Sequence, residues 1–199
     1  MNSEIPTAPH VPAAPSAPWG GGPQPVFALP CAMVLRPWRE ADAPARMAAY
    51  EDPDVRHWNR PEPMTREEAV ARIARWNRLW AEQEGAVWAV SRSPDSPALG
   101  LIGLADVDLA DSSAEFLYWL LPEGRGRGVM PQGVAAVSEW AFREAGLHRL
   151  RICHSVANPA SCAVALKAGF PLEGTMRGAL LHADGRHDQH LHARLATDA

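Results

Sequence analysis

Between Glu123 and Gly128 the chain reads Glu-Gly-Arg-Gly-Arg-Gly, a short basic glycine loop. An apolar run, Ala114 to Leu121, precedes it, and a helical pattern from about Pro131 to Ala145 follows. Glycines let the backbone turn tightly and aim consecutive N–H groups at one point. The following helix N-terminus adds partial positive charge there, and Pro131 suits a first helical position. Arg125 and Arg127 can add charge-assisted hydrogen bonds from the flank. The chemistry on offer is anion binding, most simply of a phosphate. A glycine loop alone is equally compatible with a surface turn, so the neighbouring elements must decide.

Other chemistry-bearing residues lie around this loop. Asn158-Pro159 reads as an N-cap followed by an N1 proline, with Gly169 as the C′ stop. Ser161 falls near that helix start and is either a capping group or a hydrogen-bonding hydroxyl. Glu115, in the apolar run, is either a proton acceptor or an edge glutamate in water. Cys162, inside an apolar helix turn, reads as packing rather than as a nucleophile. His182, His187, His190 and His192 crowd the last hairpin, and His190 and His192 share one strand face. A zinc site would need a fourth coordinating position and second-shell support, so exposed hairpin histidines and no metal are expected. His154, on the strand before Asn158, is a further candidate base.

Positioning these groups requires an ordered framework, and the pattern supplies one from Cys31 onward. Cys31 to Arg36 reads as a strand closed by Pro37, Arg39 to Tyr50 as a helix, and Asp52-Pro53-Asp54 as a turn. Thr65-Arg-Glu-Glu68 is a capping box opening a second helix, whose apolar stripe is Val70, Ile73, Trp76 and Trp80. Ala86–Val90 and Leu99–Val107 read as strands, and Leu147–Val156 as another. Gly174–His182 and His187–Leu195 flank Asp184-Gly185 as a hairpin. The order is β-α-α-β-β-β-α-β-α-β-β, an α+β domain over about residues 31–197 with a mixed, mostly antiparallel sheet. Residues 1–28 differ: Pro6, Pro9, Pro12, Pro15 and Pro18 recur every third position, followed by Gly20–Gly22. With few large apolar residues, that segment reads as a disordered tail with polyproline II character.

A formal charge of -4 over 199 residues leaves no basic excess for a nucleic-acid platform. The arginines between Arg36 and Arg78 are interleaved with Glu and Asp and read as solvated helix faces. Three cysteines without a CxxC spacing suit a reducing cytoplasm. No apolar run reaches membrane-spanning length, and no signal-peptide pattern opens the chain. A cytoplasmic protein without nucleic-acid or membrane partners is expected.

The order of elements resembles the GNAT superfamily of N-acetyltransferases. There a Gln/Arg-x-x-Gly-x-Gly/Ala motif between the fourth strand and third helix holds the pyrophosphate of acetyl-CoA. Here it reads Arg125-Gly126-Arg127-Gly128-Val129-Met130, with methionine in place of the last small residue. Asn158-Pro-Ala-Ser161, Lys167-Ala-Gly-Phe170, Glu173-Gly174 and Arg177 are similar to the RimJ/RimL-type branch, the ribosomal-protein N-terminal acetyltransferase-like enzymes. Leu35-Arg36-Pro37, Asp52-Pro-Asp54-Val and Asp184-Gly-Arg-His-Asp188 fit the same branch, so the resemblance covers about residues 31–195.

The resemblance implies a GNAT fold of about seven strands and four helices, with acetyl-CoA as acyl donor and an amine as acceptor. Tyr118, Trp119, Leu120 and Leu121 would pair with the pantetheine arm, and Asn158 and Ser161 would meet the thioester end. Glu115 would be the general base, and Ser161 would hydrogen-bond the leaving thiolate. The tyrosine that many relatives use as general acid falls at Ala165 here, and Tyr118 lies on another element. Trp58, expected in the loop between the first two helices, and Asp188 on the hairpin would contact the acceptor. Asp106, Asp108 and Asp111 form either a solvated turn or an acidic patch for a cationic acceptor. The chain would be a monomer or homodimer. A non-catalytic acyl-CoA sensor and a scaffold recruited through the tail are the alternatives.

Overall fold

The computed structural model describes residues 19–198. Eight strands form one sheet: β1 (Phe27–Leu29), β2 (Met33–Pro37), β3 (Ala86–Ser91), β4 (Ala98–Asp108), β5 (Ser113–Leu120), β6 (Arg149–Ser155), β7 (Leu172–His182) and β8 (Gly185–Leu195). Their spatial order is β1-β2-β3-β4-β5-β6-β8-β7, and the β5–β6 pair alone is parallel. Five helices accompany it: α1 (Ala43–Glu51), α2 (Pro53–Asn59), α3 (Arg66–Glu82), α4 (Val129–Arg143) and α5 (Pro159–Lys167). Eight strands and five helices replace the expected seven and four. The additions are β1 and α2.

Every residue of β3 is buried, because helices cover both faces of the sheet. Ala86, Trp88 and Val90 face a core shared with α4 and α5, while Val87 and Ala89 face a core under α1, α2 and α3. The period-two split follows from strand geometry. The capping box of α3 forms as its sequence requires: Glu68 N–H donates to Thr65 Oγ1 at 3.2 Å, and Thr65 N–H to Glu68 Oε2 at 2.7 Å.

The boundary expected at residue 28 moves. Trp19 packs edge-on against Trp80 and Trp140, with ring centroids 5.0 and 5.6 Å away. The indoles of Trp80 and Trp88 donate to the carbonyls of Gly22 and Pro25, both at 2.8 Å. These contacts, with β1, anchor residues 19–29 to the folded unit. The periodic prolines, Pro6 to Pro18, lie outside the described residues.

Beside β2, the buried Asp42 carboxylate accepts from both terminal nitrogens of Arg36 at 2.7 and 2.8 Å, and from the N–H groups of Arg39 and Ala98 at 3.0 Å. Burial raises its pKa, but these bonds and the Arg36 charge outweigh that and leave it below the usual aspartate range. Asp42→Ala would strand a buried guanidinium, and a stability loss of about 3–5 kcal/mol is expected. Chemical denaturation checks this, and a loss within about 0.5 kcal/mol would mean that Arg36 is satisfied without Asp42.

Candidate active site

Along β5 the pairing changes partway. Ser113, Ala114 and Glu115 pair with Arg149, Leu150 and Arg151 of β6, and the ladder then ends. The other edge of β5 stays paired with β4 up to Leu120. Beyond Glu115 the two parallel strands diverge, leaving the backbone of Phe116–Leu120 open to a bound chain. A cavity of about 810 Å3 fills this splay. It reaches from the glycine loop, past the first turn of α5, to α2 and the β7–β8 hairpin.

At the loop end, Gly126 and Gly128 hold φ of +80° and +67°, and Gly128 is the N-cap of α4. The helix therefore starts at Val129 rather than at Pro131, so the free N–H groups of Val129 and Met130 open it. Gly126, Gly128, Val129 and Met130 line the cavity. Met130 is 93% removed from solvent and belongs to the core, so its bulk is absorbed inward. Arg125 departs from expectation. Its guanidinium bonds Asp52 at 2.6 Å and Asp54 at 2.9 Å, and its Nε donates to the Leu120 carbonyl at 3.0 Å. Two carboxylates neutralise the charge that the sequence assigns to phosphate, and the residue ties the loop to α2. Arg127 is exposed and makes no ion pair among the described residues, which leaves it as the loop's free cation.

Burial raises the Asp52 pKa, and the Val55 N–H and Arg125 more than reverse the effect, leaving the carboxyl below its ordinary 3.8. A depressed carboxylate stabilises the fold above its unfolded pKa and loses that contribution as pH falls through the folded value. Acid titration of thermal stability in Asp52→Asn should therefore show a shallower loss below about pH 4 than the parent. An identical acid limb would show that the clamp contributes nothing to the fold.

In the middle of the cavity, Tyr118 and Ser161 meet, with their hydroxyl oxygens 2.7 Å apart. Tyr118 lies on β5, not on the element that carries the general-acid tyrosine of many relatives, but divergence of β5 from β6 lets its ring reach α5. Burial pushes its phenol up to about 12, against the lowering effect of the Ser161 bond, so the hydroxyl keeps its proton at neutral pH. Asn158 caps α5 by accepting from Ser161 N–H at 3.1 Å, and its side chain also lines the cavity. Trp119 and Leu120 line the cavity, whereas Leu121 is buried in the α1–α3 core and does not.

Glu115 lies in the wall, but its Oε2 accepts from Arg151 Nε at 2.7 Å. Cys153 lines the same wall, and burial followed by the nearby Glu115 charge raises its thiol to about 12, leaving it unreactive as a nucleophile.

The acceptor end is built by α2 and the hairpin. Asp52 accepts from Val55 N–H at 2.8 Å and Pro53 occupies N1, so the segment expected as a turn and loop is helical. Trp58 therefore projects from α2, where it lines the cavity and packs 5.7 Å from His182. Asp188 does not join them. Its carboxylate accepts from Gly178 N–H at 2.7 Å across the hairpin. Asp106, Asp108 and Asp111 also stay outside the cavity; Asp108 caps its own turn through the N–H groups of Ala110 and Asp111. The hairpin histidines are not the exposed set expected, since His182 and His192 are buried.

His187, one of the hairpin histidines, finds partners that the sequence did not indicate. His187 Nδ1 lies 2.7 Å from Ser155 Oγ, and its Nε2 lies 3.1 Å from Asp184. The Ala157 N–H donates to Ser155 Oγ at 3.1 Å, which leaves the serine hydrogen for the imidazole. The network thus makes His187 Nδ1 an acceptor, with its Nε2–H turned to Asp184. Ser155 lines the cavity.

Residues 32–171 match the Acetyltransferase (GNAT) domain, and the chain belongs to that family. It is an acetyl-CoA-dependent N-acetyltransferase. The chain is 28% identical over 146 residues to the uncharacterized N-acetyltransferase YoaA of Bacillus subtilis (strain 168), covering 73% of this chain and 82% of that one. It is 33% identical over 97 residues to the ribosomal-protein-serine acetyltransferase of Escherichia coli (strain K12), covering 49% of this chain and 54% of the relative. Its fold is similar to that of the ribosomal-protein-S5-alanine acetyltransferase from Vibrio fischeri, with a TM-score of 0.78 at 19% identity over 88% and 98% of the two chains. RimL, a ribosomal L7/L12 alpha-N-protein acetyltransferase in complex with coenzyme A, superposes with a TM-score of 0.76 at 21% identity over 86% and 98%. Among the described residues no helix is long and apolar enough to cross a membrane.

Proposed function

We propose that the acceptor is the α-amino group of a protein N-terminus, and that it attacks acetyl-CoA directly in a ternary complex. The observation that carries this reading is the single cavity joining the glycine loop to the Trp58–His182 mouth. Coenzyme A would enter from the loop, with its pyrophosphate at Gly126–Met130 and Arg127, and its pantetheine arm along the open edge of β5. The acceptor would enter past Trp58. Relatives named for acetylating ribosomal-protein serine or alanine support a protein acceptor. So does acid–base arithmetic: an α-amine is roughly a tenth neutral at pH 7, a lysine amine only about a thousandth. Three unpaired cysteines suit the reducing cytoplasm in which such an acceptor would be met.

In the proposed reaction the amine nitrogen bonds to the thioester carbon and the carbon–sulfur bond breaks. The departing thiolate accepts a hydrogen bond from the Ser161 hydroxyl, which Tyr118 hydrogen-bonds in turn, and is protonated by solvent. The ammonium proton leaves through Ser155 to His187, whose developing charge Asp184 balances. His187 replaces Glu115 as the proposed base, because Arg151 already holds the Glu115 carboxylate. A thiolate leaves readily, since free thiols have pKa near 8.5, so Ser161→Ala should cost only about tenfold in kcat. A loss beyond about a thousandfold would show that proton donation to sulfur dominates the barrier.

The acceptor assignment is tested with a panel of N-terminal peptides, polyamines and amino antibiotics, scored by kcat/KM. Peptides with a free α-amine should lead, and the same peptides blocked at the α-amine but carrying lysine should fall by at least about tenfold. A polyamine or antibiotic at the head of the panel would overturn the protein-acceptor reading.

A further inference from the structure

At the cavity wall, where His154 is a lining residue, β6, β8 and α5 bring four soft or borderline ligands to one point. His154 and His190 are cross-strand partners in the β6–β8 ladder, and His192 follows two residues along β8 on the same face. On that face α5 packs, carrying Cys162. One atom from each of His154, Cys162, His190 and His192 lies within 4.8 Å of all the others. The sequence offered only hairpin histidines for such a cluster. The missing positions come from β6 and α5.

The hydrogen-bond pattern leaves two of the four inward atoms without partners. His154 Nδ1 lies 2.8 Å from the Ser155 carbonyl and His192 Nδ1 lies 3.0 Å from the Phe170 carbonyl. A carbonyl accepts only, so both Nδ1 atoms carry hydrogen and both Nε2 lone pairs face inward. His154 Nε2 and His190 Nδ1 are buried without any hydrogen-bond partner, and His192 Nε2 has only the Cys162 sulfur, 3.9 Å away. One thiol hydrogen cannot satisfy three ring nitrogens. A cation can satisfy all four atoms at once.

We propose that His154, Cys162, His190 and His192 form a closed tetrahedral site for a divalent zinc-class ion. Thiolate with imidazole selects zinc over the hard, oxygen-seeking magnesium and calcium. Ideal bonds of about 2.1 Å to nitrogen and 2.3 Å to sulfur place ligand atoms about 3.3–3.6 Å apart. The side chains need to draw in by only about 1 Å. Both backbone carbonyls already hold two imidazoles in the metal-binding tautomer, the usual outer-shell arrangement. Binding releases the Cys162 thiol proton to solvent and ties the first turn of α5, with Ser161, to β6 and β8. With four protein ligands the ion has no open position, so its role is structural.

The test titrates the full chain, freed of metal by chelation and dialysis, with Co2+ under absorbance. Saturation at one Co2+ per chain is expected, with the intense visible bands of tetrahedral cobalt and a thiolate-to-cobalt charge-transfer band, all bleached by Zn2+. Cys162→Ser should lose the charge-transfer band, and both it and His190→Gln should weaken Zn2+ binding by on the order of a hundredfold. Thermal unfolding separates this from misfolding: the metal-free variants should melt like the metal-free parent, and only the parent should gain stability on adding Zn2+. The proposal is overturned if cobalt gives only the weak bands of octahedral coordination. It is equally overturned if Cys162→Ser and His190→Gln bind Zn2+ like the parent while His187→Gln does not, which would place the ion at the hairpin tip.

Discussion

Gly128→Glu should abolish coenzyme A binding. Gly128 sits at φ +67° as the N-cap of α4, where a side chain enters the left-handed region at a cost of about 1–2 kcal/mol. A Cβ there would meet only Gln132 Nε2, at 3.6 Å, so a larger residue is not excluded by the packing. The damage would come from charge. A carboxylate about 4–5 Å from a phosphate costs roughly 3–4 kcal/mol at an effective dielectric near 20. Together these amount to at least about a thousandfold in Kd. Gly128→Ala separates the contributions, because it carries the backbone strain without the charge and should lose only about tenfold. Calorimetry reads both. Unchanged affinity in Gly128→Glu would remove the pyrophosphate from this loop.

His187→Gln should lower kcat by on the order of a hundredfold or more, while Glu115→Gln stays within several-fold. Glutamine can still hydrogen-bond Ser155 but cannot carry the proton away. The Glu115 carboxylate already serves Arg151, whose cationic form that contact favours by hydrogen bond and charge. Coenzyme A affinity should be unchanged in His187→Gln, since His187 lies on the hairpin and not at the loop. The reverse ranking, with Glu115→Gln the slower enzyme, would restore the glutamate as base.

Local signals in the sequence were sufficient for the loop, the α3 capping box, the Asn158-Pro159 start of α5 and the last hairpin, because each is set by residues a few positions apart. The Asp52-Pro53 start of α2 carries the same N-cap and N1 proline signature as α5 and was readable, but seven residues look like a turn. β1 has three residues, too few for a period. What stayed hidden depends on sheet register and splay. Arg125 finds Asp52 73 residues away, and Tyr118 finds Ser161 43 residues away. The same holds for His187 and Ser155, and for His154, Cys162, His190 and His192, which spacing along one strand could not join.

The most direct measurement is the release of free thiol from acetyl-CoA by the full chain, with and without a peptide bearing a free N-terminal serine or alanine. Thiol should appear only with the peptide, one for each acetyl group gained on its α-amine by mass. Thiol release without acceptor, or none with any peptide while coenzyme A still raises the melting temperature, would contradict acetyl transfer to a protein N-terminus.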